Sequence, residues 1–366
     1  MAKIKFLKKK LISSSIVLLI TILFLEVLGL FIFDNRYSWE KRYLFLSQNS
    51  LVNTTTAKKK LPLWHYKPSS QIRSVATYSD FLSTNIEYDC RFKTNKLGFI
   101  NTGKIKDSAD YLILGDSFTE GQGGCPWLVE STITKDKYLK NFDIINAGLQ
   151  SYGVAGFERI LIYTKEKINI KNIVLIIISN DFKRHPPQKK EWNLSTKCYE
   201  KLKCTKEYWH FIKYNTTEKK LIETTLERRK LRANSILREF LHYSFTYRIY
   251  QDIKRFLISK TKKKNQENLM MEKRFKVNFD AIMRMNRQYN NMKIIFIPQR
   301  DEVGILGTKN KDSIKVVNFF KSENLNFSVC NLNSKDYMKK DGHPNKKGYK
   351  KIFICLKNSI KESQGS

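Results

Sequence analysis

Short apolar runs recur along the second half of the chain, and residues that favour turns bound each of them. They cover residues 111–114, 142–146, 173–179, 293–298 and 325–330. The run at 173–179 (IVLIIIS) is the most continuous and is rich in β-branched side chains. Segments with helical spacing separate the runs. Strands that alternate with helices predict a parallel sheet covered on both faces, and therefore an α/β domain over about residues 110–360.

The helical segments predict a helix from the turn after residue 116 through about residue 138, and another over about 156–167. A basic insert of the domain covers about residues 183–290. Within it, residues 221–258 and 268–289 show helical spacing. We interpret residues 268–289 as a crossover helix of the sheet. The rest of the insert is either a longer crossover, a lid, or a surface that holds substrate or membrane.

The N-terminus carries a different pattern, an apolar run over residues 11–33 that follows five lysines within residues 1–10. A helix of about 20 apolar residues spans a bilayer, and preceding lysines indicate a cytoplasmic N-terminus with the remainder exported. A cleaved signal peptide is the alternative, but the run is long for one, and no small-residue cleavage motif precedes Asp34. Glu26 then lies toward the outer interface or in a helix contact. We predict an uncleaved anchor at 11–33, a juxtamembrane spacer at about 34–60 and an ordered lead-in to residue 109.

The charge of the chain is strongly positive, with 68 Lys and Arg against 34 Asp and Glu, a net +34. An anionic glycan or lipid partner is one interpretation. The other is a compositional bias, because the lysines are spread along the whole chain. No arginine-rich arm, zinc-finger spacing or basic zipper is present, so no nucleic-acid partner is expected.

Six cysteines fit a disulfide-bonded, exported domain. Cys198–Cys204 is the pair that we expect first, because the two residues are close enough in sequence to close a small loop. For the other four cysteines we expect Cys90–Cys125 and Cys330–Cys355, although other pairings of six cysteines stay open. A zinc site built on Cys198, Cys204 and His210 lacks the usual ligand spacing. We therefore predict neither a metal nor a cofactor.

Ser117 is the first candidate for chemistry, because it directly follows the predicted strand at 111–114 in Gly115-Asp116-Ser117. Parallel α/β sheets place their sites at the carboxyl ends of strands, and the start of the next helix offers unpaired N–H groups. A serine there needs a base and oxyanion donors before it attacks a carbonyl. Taken alone, the tripeptide is equally typical of a helix-capping turn.

His343 and Asn180 supply the other parts. Asp341 lies two residues before His343 and is close enough to accept from one ring nitrogen, which leaves the other to face Ser117. Asn180 ends the strongest strand, where its amide can donate to an oxyanion, and a backbone N–H after Asn146 can supply a second donor. The alternatives are a surface turn for His343 and a helix cap for Asn180.

Four blocks of sequence, in this order, resemble the SGNH/GDSL hydrolase superfamily. They are GDSFTEG at 115–121, NAGLQSYG at 146–153, SND at 179–181 and DGHPN at 341–345. The resemblance implies a flavodoxin-like, three-layer α/β/α sandwich with a parallel sheet.

The resemblance also implies roles for particular residues. Ser117 is the nucleophile, His343 the base and Asp341 the residue that orients it. The oxyanion hole combines the N–H groups of Ser117 and Ser151 with the side chain of Asn180. Ser151 stands where the superfamily usually has glycine, so Gly148 or Gly153 is an alternative. The superfamily's commonest spacing would put the aspartate at the position of Lys340.

The expected function is that of a membrane-anchored serine hydrolase that cleaves or transfers an acyl group, an O-acetyl ester above all. Its substrate would be an acylated small molecule, glycan or lipid, and the reaction needs no cofactor. The alternative is a non-catalytic, membrane-tethered glycan-binding or assembly protein on the same fold.

Overall fold

The computed structural model describes most of the chain. The described residues are 13–27, 41–48, 50–79, 84–100, 105–125, 133, 135–185, 209–233, 244, 246–247, 249–250, 253–254, 263–302, 311–338 and 342–362. The chain divides into two compact units: residues 1–42, 78–85 and 218–268 form the smaller one, and residues 43–77, 86–217 and 269–366 the larger. The serine, histidine and asparagine candidates all lie in the larger unit.

The described strands are β1 (Lys41–Ser47), β2 (Leu51–Thr55), β3 (Pro62–Tyr66), β4 (Gln71–Ser79), β5 (Thr84–Lys93), β6 (Ser108–Gly115), β7 (Ile144–Asn146), β8 (Asn169–Ile177), β9 (Trp209–Ile212), β10 (Lys293–Phe296) and β11 (Phe327–Val329). The described α-helices are α1 (residues 13–27), α2 (Ser117–Glu120), α3 (Val154–Lys165), α4 (Glu218–Ala233), α5 (Lys263–Gln288), α6 (Lys311–Ser322) and α7 (Lys346–Glu362).

The main sheet contains the five strands predicted from the apolar runs, in the order β7-β6-β8-β10-β11, and all its pairs are parallel. Numbered within this sheet alone, that order is 2-1-3-4-5, which is the flavodoxin-like arrangement. The predicted α/β class and parallel sheet are therefore confirmed, with strand ends that differ from the predicted ones by a few residues.

The core lies on both faces of this sheet because successive strand residues point to opposite sides. Leu112 and Leu114 of β6 face one cluster, which also contains buried residues of α3, α5 and α6. Ile113 of β6 faces the other cluster, together with buried residues of α7. Both faces of the sheet are covered, which explains why β8 is apolar without alternation.

A second sheet has the order β5-β4-β1-β9, and β2 and β3 form a hairpin. All of these strands except β9 precede the main sheet in the sequence. The strands β1 and β2 lie in the described part of the stretch over residues 34–60 that we predicted as a juxtamembrane spacer. The strand β1 buries Tyr43, Phe45 and Leu46. The apolar pattern of β1 is short and is flanked by lysines and asparagines. The strand that pairs with β1 in parallel, β9, lies in the distant insert.

Two predicted helices differ from those observed. The helix after the Gly-Asp-Ser turn ends at Glu120 rather than near residue 138, because Gly121 takes a left-handed conformation (φ 95°) and closes the helix with a hydrogen bond to Ser117 O. Of the segment with helical spacing over 221–258, the described residues include α4, a non-helical Ser244 and helical residues at 246–247, 249–250 and 253–254. The predicted crossover helix at 268–289 is present as α5.

The N-terminal helix α1 exposes most of its apolar side chains. No helix within the described residues has both the length and the apolar character needed to cross a membrane. The span predicted at 11–33 extends beyond the described residues of α1 at both ends.

Two of the three predicted disulfides are present. Cys90–Cys125 joins β5 to the loop that follows α2, and Cys330–Cys355 joins the end of β11 to α7. The third predicted pair, Cys198–Cys204, lies outside the described residues.

Replacing both Cys330 and Cys355 with alanine should lower the free energy of unfolding by about 2–5 kcal/mol, because the bond closes a loop between residues 25 positions apart and restricts the unfolded chain. Urea denaturation of the folded variant and the wild type measures the difference. A reductant should remove most of this difference. Equal stabilities under oxidising conditions would contradict the prediction.

Candidate active site

The nucleophile candidate Ser117 is the first residue of α2, directly after β6 and the helix cap Asp116. Asp116 Oδ1 accepts the N–H of Phe118 at 2.9 Å, which starts the helix at this serine. Ser117 is 5% exposed. Its own N–H lies at the helix start, where no intrahelical acceptor exists, and it donates to none of the residues that the structure describes.

The structure brings His343 to Ser117, as predicted. His343 Nε2 lies 2.8 Å from Ser117 Oγ, although the two residues are 226 positions apart. The imidazole ring also packs against Phe118, with the ring centroids 5.3 Å apart. The backbone carbonyl oxygen of His343 accepts the N–H of Met338 at 2.7 Å.

Asn180 lies in a single 3-10 turn, Ser179–Phe182, at the carboxyl end of β8. Its neighbour Asp181 closes this turn by accepting the N–H of Ile178 at 3.0 Å. The side-chain amide of Asn180 is half-buried and donates to no residue in the described ranges. It is therefore available as a donor at the same edge of the sheet as Ser117.

Ser151 adopts a left-handed backbone conformation, with φ 65°. Such a conformation favours glycine, and glycine is the residue that the superfamily usually has at the position of Ser151. Ser151 is exposed, and its N–H has no acceptor in the described part of the chain. Gly148 is a poorer candidate donor because its N–H already binds Asn146 Oδ1 at 2.9 Å. Gly153 serves as the residue that caps the start of α3.

Asp341, the predicted orienting carboxylate, lies outside the described residues. Its role stays a prediction.

Sequence reasoning missed Arg184, whose Nη1 atom contacts three loops at this edge of the sheet. It donates to Asp116 Oδ2 at 3.0 Å, to Asp181 Oδ1 at 3.0 Å and to Tyr152 O at 2.7 Å. Both aspartates are fully buried. Burial, and next the charge of Asp116, raise the pKa of Asp181 well above its usual range, against the opposing effect of Arg184. The one sequence signal was the spacing of three residues between Asp181 and Arg184.

Sequence reasoning also missed a cluster of buried polar residues around Glu120 of α2. The Tyr66 hydroxyl donates to Glu120 Oε1 at 2.7 Å, and the N–H of Gln150 donates to Glu120 Oε2 at 2.8 Å. Glu120 is fully buried. Burial raises its pKa to about 8, although both hydrogen bonds act in the opposite direction. This cluster joins β3, α2 and the loop that carries Ser151.

A serine hydroxyl within hydrogen-bond reach of an imidazole, beside unengaged N–H donors, is the arrangement of the serine-nucleophile class of site. It lies where Ser117 follows β6 and Asn180 follows β8, the pair of neighbouring strands at which the strand order of a flavodoxin-like sheet reverses. Ligands bind at this point in open α/β sheets.

No family model and no curated protein matches this sequence. Among solved structures, the chain is similar to a protein from Desulfitobacterium hafniense DCB-2 that is assigned to the G-D-S-L family of lipolytic proteins, with 13% identity and a TM-score of 0.34 over 69% of this chain and 99% of that one. It is also similar to an acetyl xylan esterase from the rumen bacterium Butyrivibrio proteoclasticus, with 10% identity and a TM-score of 0.35 over 89% of this chain and 87% of that one. A carbohydrate esterase aligns with 9% identity and a TM-score of 0.35, over 88% of this chain and 98% of that one.

The substitution Glu120→Gln should flatten the pH dependence of stability. The raised pKa means that the folded state keeps this carboxyl neutral while the unfolded state ionises it above its ordinary pKa of 4.5. The free energy of unfolding of the wild type therefore falls as the pH rises from about 5 to about 8, by up to about 1.4 kcal/mol per pH unit from this group.

Denaturant titrations across this pH range, on the wild type and the variant, test the effect. Glu323→Gln is the control, because Glu323 is an exposed carboxylate. Equal slopes for the wild type and Glu120→Gln would contradict the prediction.

Proposed function

We propose that this chain is an ester hydrolase of the SGNH/GDSL type, with Ser117 as its nucleophile and His343 as its base. The observation that carries the proposal is the 2.8 Å contact between His343 Nε2 and Ser117 Oγ. An imidazole at this distance accepts the serine proton as the hydroxyl attacks. The order of the four sequence blocks supports the same assignment.

Three donors in the loops that follow β6, β7 and β8 support an oxyanion hole made of Ser117 N–H, Ser151 N–H and the Asn180 side-chain amide. Each of them lacks an acceptor in the described part of the chain, so each is available to bind the negative charge that develops on the carbonyl oxygen. One such donor contributes about 2.7–4 kcal/mol to transition-state stabilisation. Asp341 completes the proposal as the carboxylate that orients His343.

The reaction has two steps. Ser117 Oγ bonds to the acyl carbon, the ester C–O bond breaks, and His343 passes the serine proton to the departing alcohol. Water then attacks the acyl carbon and gives a proton to His343. The bond between this carbon and Ser117 Oγ breaks, the proton passes from His343 to Ser117 Oγ, and the acid leaves. A hydroxyl acceptor in place of water would make the protein an acyltransferase. The acyl group that we propose is acetyl, carried by a glycan, a lipid or a small molecule.

We further propose that the chain is a single-pass membrane protein, with the N-terminus in the cytoplasm and the larger unit exported. The exposed apolar side chains of α1 support this proposal. Within the smaller unit, Glu26 Oε1 accepts hydrogen bonds from Ser244 Oγ at 2.6 Å and Thr246 Oγ1 at 2.8 Å. The acidic residue of the apolar run thus has protein partners, as ionisable residues near membranes require.

The substitution Ser117→Ala should abolish hydrolysis of a chromogenic acetyl ester by the detergent-solubilised full chain, because no other group replaces the attacking hydroxyl. The initial rate is the measurement. Ser359→Ala is the matched control, since Ser359 is a buried serine of α7. Retained turnover in Ser117→Ala would contradict the assignment.

A fluorophosphonate probe distinguishes this proposal from the alternative of a non-catalytic glycan-binding or assembly protein. The probe should modify Ser117 of the wild type, detected by peptide mass spectrometry, and should not modify that peptide in Ser117→Ala. Absence of labelling in folded wild-type protein would favour the alternative.

The double substitution of Leu18 and Leu23 by arginine should release the chain from membranes. Each arginine near the middle of a spanning helix costs about 2.5–3.5 kcal/mol. The wild type and a matched Leu-to-Ala pair at both positions should stay in the pellet after an alkaline carbonate wash. Wild-type protein in the supernatant would contradict the anchor.

A further inference from the structure

The three loops that carry the proposed oxyanion donors meet at one atom, Nη1 of Arg184. Each residue that this atom contacts is the immediate neighbour of a donor: Asp116 precedes Ser117, Tyr152 follows Ser151 and Asp181 follows Asn180. The loops leave three different strands, β6, β7 and β8. Arg184 is therefore hydrogen-bonded to the residue directly before or after each proposed donor.

We propose that Arg184 is the positioning residue of the oxyanion hole, holding the three donors in the arrangement that the transition state requires. This inference rests on the function proposed above. Arg184 does not touch the reacting atoms in this proposal; it acts through the residues next to the donors.

The need for such a residue follows from the geometry of catalysis. An oxyanion is stabilised when its donors lie about 2.7–3.1 Å from the position that it will occupy, and a misplacement of about 1 Å costs about 100-fold in rate. Three separate loops, one of which holds Ser151 in a left-handed conformation, can each shift independently. A cation bound to all three restricts those shifts.

Arg184 also acts on the proton of the nucleophile. Ser117 Oγ lies 2.8 Å from His343 Nε2 but also 3.3 Å from Asp116 Oδ2, so two acceptors compete for its proton. Arg184 binds the same Oδ2 atom. A carboxylate oxygen that accepts from a guanidinium is a weaker acceptor for a neighbouring hydroxyl, and the serine proton is left to His343.

The substitution Arg184→Gln should lower kcat for an acetyl ester by about 100-fold with KM unchanged, because only transition-state contacts are lost. Arg184→Lys should give an intermediate kcat, because the three contacts converge on a single nitrogen that an ammonium group can partly replace. Arg284→Gln is the matched control: it removes another partly buried guanidinium, which pairs with Glu158, and it should leave kcat at the wild-type value.

Circular dichroism and denaturation establish that the variants are folded before kinetics are measured. A wild-type kcat in folded Arg184→Gln, or a loss seen only as a raised KM, would overturn the positioning role while leaving the proposed function intact. If Arg184→Gln does not fold, Arg184→Lys carries the test, and a wild-type kcat in that variant overturns the inference. Absence of Ser117-dependent turnover in the wild type would contradict the proposed function itself, and this inference with it.

Discussion

The parallel pairing of β6 with β8 is the constraint on which the arrangement of the site depends. The two strands pair in parallel from Ser108 opposite Asn169 to Gly115 opposite Ile176. Both strands therefore end at the same edge of the sheet. Ser117 and Asn180 follow immediately, one on a helix start and the other in a 3-10 turn. An antiparallel pairing would send Asn180 to the opposite edge. The pairing is possible because both faces of these strands are covered by helices, which is the condition under which parallel sheets are stable.

The position of His343 at this edge depends on the hydrogen bonds that cap the start of α7. Asn345 Oδ1 accepts the N–H groups of Lys347 and Gly348, while its amide donates to Tyr337 O. In the first turn of the same helix, the Tyr349 hydroxyl donates to Gln122 O at 2.7 Å, in the turn that follows the nucleophile helix. The start of α7 is thereby tied to the nucleophile segment, and His343, two residues before the cap, is brought to Ser117.

The sequence was sufficient for the parts of the site that follow strands or stand in compact motifs, and for the five strands of the main sheet. Ser117, Asn180 and His343 belong to this group. The cysteine pairs at 90–125 and 330–355 do not, because the spacing of the cysteines left other pairings open. The remaining features depend on contacts between distant segments. Tyr66 and Glu120 are 54 positions apart, and β1 finds its parallel partner in the insert. Neither contact leaves a local periodicity, so the second sheet and the buried cluster around Glu120 could not be predicted.

The identity of the residue before the nucleophile shows how the site balances its charges. Capping α2 requires a side-chain oxygen at position 116, which asparagine or serine would supply equally well. An aspartate at a helix start is favourable for the helix dipole, but its charge lies next to Ser117, where the proposed reaction would develop a second negative charge, and like charges oppose each other. Arg184 binds the oxygen of Asp116 that the cap does not use and so offsets this charge. Because Asp116 and Asp181 are both fully buried, little water is available to screen their interactions with Arg184.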